Sequence, residues 1–257
     1  MNISDNFISH LIELRNRLMR IFICLLLVMI ALFPFANDIY HMLAMPMLKS
    51  LPAGGQMIAT GVVTPFFVPM KVALLTAFMI SLPYSLYQIW AFVAPGLFTH
   101  ERRLIGPMVF ASTLLFLCGM VFAYCLVLPV VFGFIAQTAP EGVAVMTDIS
   151  KYLDFAMGLF IAFGLAFEVP VAVVVLVTAN IVSVAALREA RPYVVVGAFV
   201  LGAIFTPPDI VSQFMLAIPL LVLYEAGILV ANVMQHYRSG NSSVKSSQFH
   251  PLDEQKF

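Results

Sequence analysis

Charged residues are scarce in this sequence, and their scarcity excludes an ordinary soluble domain. Only 10% of the 257 residues are charged, whereas 62% are hydrophobic. Soluble domains carry about 25% charged and about 45–50% apolar residues, so a soluble fold of this size would lack the polar residues to cover its surface. The same apolar richness excludes a disordered chain. With only 3 cysteines, a disulfide scaffold is excluded too, and a polytopic membrane protein remains.

Recognisable catalytic and cofactor motifs are missing as well. The sequence contains no Walker-type phosphate loop, no HExxH and no CxxC, and its cysteines lie in apolar runs where they pack as small hydrophobes. Basic and acidic residues number 13 each, and this zero net charge gives no indication of nucleic-acid binding. All 5 histidines lie outside the apolar runs. We therefore expect neither an enzyme nor a protein that holds a metal or another cofactor.

Six apolar stretches predict an all-α fold with six transmembrane helices. A helix needs about 20 mainly apolar residues to cross about 30 Å of hydrocarbon. The stretches lie at residues 21–35, 72–93, 107–132, 155–177, 193–205 and 210–233. The fifth and sixth helices are expected to be short, with a tight turn at residues 206–209 between them. The helical part of the fifth is about 14 residues, or about 21 Å, which is less than the hydrocarbon thickness.

The distribution of basic residues gives the orientation of these helices. Six spans place both termini on one side of the membrane, and ten of the 13 basic residues fall on that side. They are Arg15, Arg17, Arg20, Arg102, Arg103, Arg188, Arg191, Arg238, Lys245 and Lys256. The other side carries only Lys49, Lys71 and Lys151. Because cytoplasmic loops are enriched in Lys and Arg, both termini are predicted to be cytoplasmic.

The chain is predicted to consist of one membrane domain and a tail. Residues 1–237 hold the six spans, and they begin with an amphipathic helix that lies at the membrane surface before the first span. Two long outer loops are expected at residues 36–70 and 133–154. Residues 238–257 are polar and Ser-rich, so we expect a disordered cytoplasmic tail there.

Two acidic residues near the cytoplasmic surface are candidates for binding. Glu13, on the amphipathic helix, precedes Arg17 by four residues and can pair with it, and a plain membrane anchor with a solvated face explains this helix as well. Glu101 precedes an arginine pair at a helix start, where the helix dipole alone favours an acid. The Glu101 carboxylate can also accept a guanidinium in bidentate fashion. Phe92 lies nearby and is expected at the membrane interface, where aromatic residues are common.

Polar residues within the spans form a second group of candidates. Glu168 lies well inside the fourth span, where an ionised group costs about 2.5–3.5 kcal/mol, so it faces protein or water rather than lipid. Pro170 follows it and is expected to kink the helix. The sequence leaves open whether Glu168 serves a structural polar network or a function. Thr206 and Gln213 flank the turn between the last two spans, and they bond either within this hairpin or to another helix.

Several of these residues lie in motifs that resemble those of one known family. The motifs are HLIELRNR at residues 10–17, Phe92 with HERR at 100–103, FEVP at 167–170, RPY at 191–193 and TPPD at 206–209. With these motifs in this order over residues 6–237, the chain resembles TatC, the signal-peptide receptor family of the twin-arginine protein translocase. The resemblance implies six helices with both termini cytoplasmic, in a bacterial inner membrane.

The resemblance also implies a function and a set of binding residues. TatC proteins recognise twin-arginine signal peptides of folded cargo proteins at the cytoplasmic face. By the family's pattern, Glu13 and Glu101 would hold the arginine pair and Phe92 would contact the motif. Arg15 would position the N-terminal helix or balance its charge. Transport in the family uses the proton-motive force, with the partner TatA assembled on demand.

Further residues receive roles from the same resemblance. Thr206 and Gln213 would form part of the docking surface for the single-span partners TatB and TatA, within a multimeric receptor complex. Glu168 would line a concave, membrane-facing hollow. Pro46 and Asp209 occupy family positions in the outer segments.

A proton-coupled small-solute transporter, with Glu168 as its proton carrier, is the main alternative. Such folds often contain two halves with matching broken helices, and the sequence contains no convincing internal repeat. An intramembrane enzyme would need paired catalytic side chains within the spans, and no such pair is visible in the sequence.

Overall fold

The structure is a computed structural model that describes residues 3–50, 58–97, 105–138, 147–205 and 210–247. These residues form ten α-helices joined by short connections. The helices are α1 (Ile3–Leu32), α2 (Ala36–Ser50), α3 (Thr64–Leu97), α4 (Ile105–Phe122), α5 (Leu128–Thr138), α6 (Ile149–Phe167), α7 (Val169–Thr178), α8 (Val184–Glu189), α9 (Arg191–Phe205) and α10 (Ile210–Ser247). A 3-10 turn joins α1 to α2, and a π-helical turn joins α4 to α5. The prediction of an all-α fold is confirmed.

The helices supply the predicted spans. Among the described residues, five helical stretches are long and apolar enough to cross a membrane: Ile8–Met45, Thr64–Val93, Ile105–Ile135, Ile149–Thr178 and Gln213–Gln235. The remaining apolar helix, α9, has 15 residues, or about 22 Å at 1.5 Å per residue, so the fifth span is short as predicted. The sixth differs, because α10 extends over 38 residues and accommodates Pro219 in its interior.

The last helix also extends past the predicted end of the membrane domain. Helix α10 ends at Ser247, whereas the sequence suggests a boundary at residue 237. Residues 238–247 therefore continue the helix of the last span. Once an apolar span has formed the helix, each further residue adds a hydrogen bond without a new nucleation cost. The rest of the predicted tail, residues 248–257, lies outside the described residues.

Helix α1 combines the predicted surface helix and the first span in one element. No proline or glycine occurs in residues 3–32, so nothing breaks the hydrogen-bond ladder between the two parts. The expected separate surface helix is therefore wrong. Leu18, Phe22, Leu27 and Ile30 are all more than half exposed. In a membrane such side chains contact lipid, which is as apolar as they are.

The first predicted outer loop contains helix α2, so the expectation of a loop is wrong for residues 36–50. Pro46 lies within α2 and has no N–H, which leaves the carbonyl of Met42, four residues earlier, without its helical donor. The Tyr124 hydroxyl donates to this carbonyl at 2.7 Å. The Tyr152 hydroxyl donates to the neighbouring carbonyl of Leu43, also at 2.7 Å. Tyr124 thus replaces the hydrogen bond that Pro46 removes, and both tyrosines fasten α2 to the bundle.

At the same end of the bundle, Asp148 joins the segment before α3 to the start of α6. Its carboxylate caps α6 by accepting from the backbone N–H groups of Ser150 (2.8 Å) and Lys151 (3.1 Å). It also accepts from the Thr60 backbone N–H at 3.0 Å and from the Thr60 hydroxyl. Ile58 forms two backbone hydrogen bonds with the residues on either side of Asp148. The hydrogen bonds that the Asp148 carboxylate accepts, that of the Thr60 hydroxyl foremost, hold its pKa well below the ordinary value.

A close crossing of α4 and α6 lies at the centre of the core. A Cβ atom at Gly119 would lie 2.5 Å from the carbonyl oxygen of Phe163, so the approach of the two backbones requires glycine. Gly164 on α6 faces the ring of Phe116 on α4 in a similar way. Small residues at such crossings let membrane helices gain van der Waals contact, which takes the place of a hydrophobic driving force between them.

Gly119→Ala is expected to destabilise the protein by about 1–3 kcal/mol, because the added methyl group overpacks against rigid backbone. Gly158→Ala on α6 is the matched control, since a Cβ there meets nothing within 4 Å, and alanine has the higher helix propensity. Thermal unfolding of both purified variants in one detergent measures the difference. Equal unfolding temperatures for the two variants would contradict the close crossing.

Asp148→Ala is expected to lower the unfolding temperature by a few degrees, because α6 loses its cap and Thr60 loses its partner. Since the folded-state pKa is depressed, the carboxylate stabilises the protein above its unfolded pKa of about 3.9. That stabilisation disappears only as the pH falls through the lower folded value. The difference between wild type and variant should therefore stay constant from about pH 8 to about pH 5. A difference that shrinks over this range would refute the assigned hydrogen bonds.

Candidate functional site

At the end of the bundle where the chain begins, α1 and α3 pack in opposite directions. His10, Glu13 and Arg17 share one face of α1, because they are three and four residues apart, and Gln88 and Phe92 share one face of α3. The His10 ring stacks on the Phe92 ring with centroids 4.3 Å apart and 17° between the planes. Nη1 of Arg17 lies 3.3 Å from Oε1 of Gln88. Glu13 therefore lies between the two contacts.

The Glu13 carboxylate is held by an arginine of its own helix. Nε and Nη2 of Arg17 both donate to the same oxygen, Oε1 of Glu13, at 2.9 and 2.6 Å. The other carboxylate oxygen has no donor among the residues that the structure describes. The Glu13 side chain is 43% exposed, against 20% for Arg17. The pairing suggested by the four-residue spacing is therefore present, and the carboxylate remains open to solvent.

The α3 side of this site is firmly placed. Gln88 is buried, with 4% of its surface exposed, and Phe92 is half-buried. Between them, the Trp90 indole N–H donates to the Ser112 hydroxyl on α4 at 3.0 Å. Because Trp90 anchors α3 to α4, the groups that face α1 stay in position.

Arg15 lies apart from this face. It is exposed, and its Nη2 lies 3.4 Å from the side-chain oxygen of the adjacent Asn16. It lies two positions after Glu13, and residues at that spacing do not face each other on a helix. Among the described contacts, Phe92 meets His10, on the face of α1 that also carries Glu13, and Arg15 stays outside the group.

Three of the predicted site residues, Glu101, Thr206 and Asp209, lie outside the described residues. Pro46 lies within α2, as stated above. Gln213 is described, and its amide donates to the carbonyl oxygen of Phe199 on α9 at 3.0 Å. Of the two alternatives for Gln213, the structure therefore shows the bond within the α9–α10 hairpin.

Glu168 is half-buried and lies at the junction of α6 and α7. Its Oε1 atom is buried and has no hydrogen-bond partner among the described residues. The Oε1 atom of Glu168 therefore faces protein rather than lipid.

His10 and Gln88 are site residues that the sequence does not single out. The available signal was weak: His10 opens the HLIELRNR motif, and Gln88 is a polar residue in an apolar stretch, one helical turn before Phe92. Their importance depends on the pairing of α1 with α3, which no local spacing reveals.

A cavity of about 350 Å³ lies near the opposite end of the bundle. It is lined by Val131, Phe132, Ile135, Thr147, Lys151, Tyr152, Phe155, Ile204 and Phe205, and it contains none of the predicted site residues. Within the described ranges no group of three His, Cys, Asp or Glu residues could hold a metal ion. The candidate site is therefore an open surface between two helices, where a carboxylate with an available oxygen and an aromatic ring suit a guanidinium ligand.

Comparison with known proteins places the chain in a family. The family model described as Sec-independent protein translocase protein (TatC) matches residues 9–219. The chain is 54% identical over 244 residues to the Sec-independent protein translocase protein TatC of Haemophilus influenzae, covering 95% of each chain. It is 53% identical over 230 residues to the protein of the same name from Escherichia coli K12, covering 89% of each chain.

Two solved structures agree with the sequence matches. Both are crystal structures described as twin-arginine translocase receptor TatC, and each is 38% identical in sequence to this chain. One has a TM-score of 0.74 and covers 87% of this chain and 98% of its own. The other, in the detergent DDM, has a TM-score of 0.76 and covers 86% and 99%. The chain is a multi-pass membrane protein and not an enzyme, and it belongs to the TatC family of Sec-independent protein translocase proteins.

Proposed function

We propose that this chain is the receptor of a twin-arginine translocase, which binds twin-arginine signal peptides of folded proteins at the cytoplasmic face of a bacterial inner membrane. The observation that carries the proposal is the position of Glu13. It is a half-exposed carboxylate between the His10–Phe92 stack and the Arg17–Gln88 contact. Two relatives of known structure are described as twin-arginine translocase receptors, which supports the same reading.

The chemistry of the site favours arginine over lysine. A guanidinium donates two parallel N–H bonds to a carboxylate, whereas an ammonium acts as a point charge. The face of Phe92 that the His10 ring does not cover is proposed to receive the same cation. Glu101, which lies outside the described residues, is proposed as the second carboxylate, so that each arginine of the motif has its own acid. Arg15 is proposed to balance the charge of the N-terminal helix.

Charge and topology support the proposed orientation. Residues 8–17 of α1 and the end of α3 lie on the side that carries ten of the 13 basic residues. Arg191 and Glu225 form an ion pair of 2.7 Å where α9 begins, on that same side. By the positive-inside rule this side is cytoplasmic, and with six spans both termini lie there.

We further propose that transport is driven by the proton-motive force, since the sequence carries no nucleotide-binding motif. The single-span partners TatB and TatA are proposed to dock at the α9–α10 hairpin, around Thr206 and Gln213, in a multimeric complex. Helix α9, about 22 Å long, is shorter than the hydrocarbon thickness of about 30 Å. The mismatch favours local thinning of the bilayer where the partners assemble.

The same proposal gives roles to the remaining residues. Glu168 is proposed to line the membrane-facing hollow of the receptor, and Pro46 and Asp209 are proposed to shape the outer segments. A small-solute transporter that uses Glu168 is not retained, because the chain belongs to a protein-translocase family.

The binding site is tested by photo-crosslinking. A photoreactive residue at position 92, in membranes containing the assembled complex, is offered signal peptides with Arg-Arg or Lys-Lys. Strong crosslinking is expected for Arg-Arg alone, and Glu13→Gln or Glu101→Ala is expected to weaken it about 10-fold or more, because each removes a charge-assisted hydrogen bond. Asp38→Asn is the control, since Asp38 is an exposed acid on α2, at the other end of the bundle. Equal products from both peptides would reject the site.

Partner docking is tested at Gln213. Gln213→Ala removes a polar group that bridges α9 and α10, and it is expected to reduce copurification of TatB and TatA several-fold. Signal-peptide crosslinking at position 92 should remain, because the two regions lie at different ends of the helices. Loss of the crosslink together with unchanged partner binding would reverse the assignment of the two surfaces.

A further inference from the structure

The carboxylate at the centre of the proposed site already holds a guanidinium in the ligand-free structure. Two nitrogens of Arg17 donate to Oε1 of Glu13, at 2.6 and 2.9 Å. Arginine is also the residue that the proposed ligand presents. The resting site is therefore occupied by the same chemical group that it is proposed to recognise.

The contact of Arg17 with α3 distinguishes this pair from an ordinary ion pair on a helix surface. Such pairs at a four-residue spacing are common and weak. Here the third nitrogen, Nη1, lies 3.3 Å from Oε1 of Gln88, and Gln88 is buried at 4% exposure. The Arg17 side chain is itself only 20% exposed. Its guanidinium is thus held between two helices, with one edge on the acid and the other on a buried amide.

Resting on the function proposed above, we propose that Arg17 is an internal occupant of the signal-peptide site. A guanidinium of the ligand takes over the Glu13 carboxylate from Arg17, and Gln88 retains the displaced Arg17 by its amide oxygen. Binding is then an exchange of one guanidinium for another. The exchange lowers the affinity for any single basic residue, so that short basic segments of other proteins are not held.

The alternative role is that Arg17 orients Glu13 for the ligand. The two roles predict opposite effects of removing Arg17 on the affinity for the ligand. If Arg17 competes with the ligand, removing it strengthens binding. If Arg17 orients the acid, removing it leaves a mobile carboxylate and weakens binding, since preorganisation reduces the cost of association.

The test measures binding of a fluorescent signal peptide to the full chain in nanodiscs. Arg17→Gln is expected to tighten the dissociation constant of the Arg-Arg peptide about two- to fivefold, the scale of a partly exposed ion pair. The affinity for a Lys-Lys peptide should increase by the same factor, because both peptides displace Arg17 from Glu13. Arg17→Lys, which still pairs with Glu13 but cannot form the fork, is expected to give an intermediate value.

Arg20→Gln is the matched control. Arg20 is exposed on the same helix, and its replacement removes the same charge without touching Glu13. The proposal is supported if Arg17→Gln increases the affinity for the peptide more than Arg20→Gln does. Weaker binding by Arg17→Gln, no change, or equal gains for both variants would overturn it. Failure of the receptor function itself would be seen separately, as a wild-type protein that does not distinguish Arg-Arg from Lys-Lys.

Discussion

The hydrocarbon interior of a membrane offers the backbone no hydrogen-bond partner, and the rest of this structure depends on that constraint. Where the chain interrupts its own helices, another group supplies the missing bond. The Tyr124 hydroxyl reaches the Met42 carbonyl that Pro46 leaves without a donor. Pro170 lies in the first turn of α7. The N–H groups of a first turn have no partner within the helix, so the absence of an N–H at Pro170 costs no helical hydrogen bond. Glu168 bridges that break, donating its N–H to Leu165 at 3.1 Å and accepting from Ala172 at 3.0 Å.

This constraint also determines where a recognition site can be placed. Glu13, Gln88 and Phe92 all project from long helices rather than from loops, so their relative positions follow from the packing of α1 on α3. Groups on rigid elements hold their geometry better than groups on loops. Near the end of α3, the Trp90 indole N–H donates to the Ser112 hydroxyl of α4. The helix that carries half of the proposed site is therefore fastened to α4.

Hydropathy and local spacing predicted most of the fold. The all-α class, the positions of the spans and the shortness of α9 follow from apolar runs, which report directly on burial in lipid. The Glu13–Arg17 pair follows from a four-residue spacing on one helix. The sequence is also consistent with one continuous helix α1, since no proline or glycine occurs in residues 3–32. The change from an amphipathic to an apolar pattern, however, suggests two separate elements.

Other features depend on contacts between residues far apart in the sequence. A loop is expected in place of α2 because residues 36–70 are rich in Pro and Gly. The tyrosine that compensates for Pro46 lies 82 residues from Met42. In the site, Gln88 meets Arg17 across 71 residues of sequence. Such pairings arise from the packing of whole helices. A single sequence records the apolar faces that pack, but not which face meets which.

The ion pairs differ in what the exchange proposed at Glu13 would disturb. Three salt bridges occur among the described residues: Glu13–Arg17, Lys71–Asp154 and Arg191–Glu225. The last two each join different helices, α3 to α6 and α9 to α10, so breaking them loosens the bundle. The Glu13–Arg17 pair lies within α1, and its exchange for a ligand arginine separates no helices. Recognition at this pair is therefore compatible with a bundle whose backbone must stay closed to lipid.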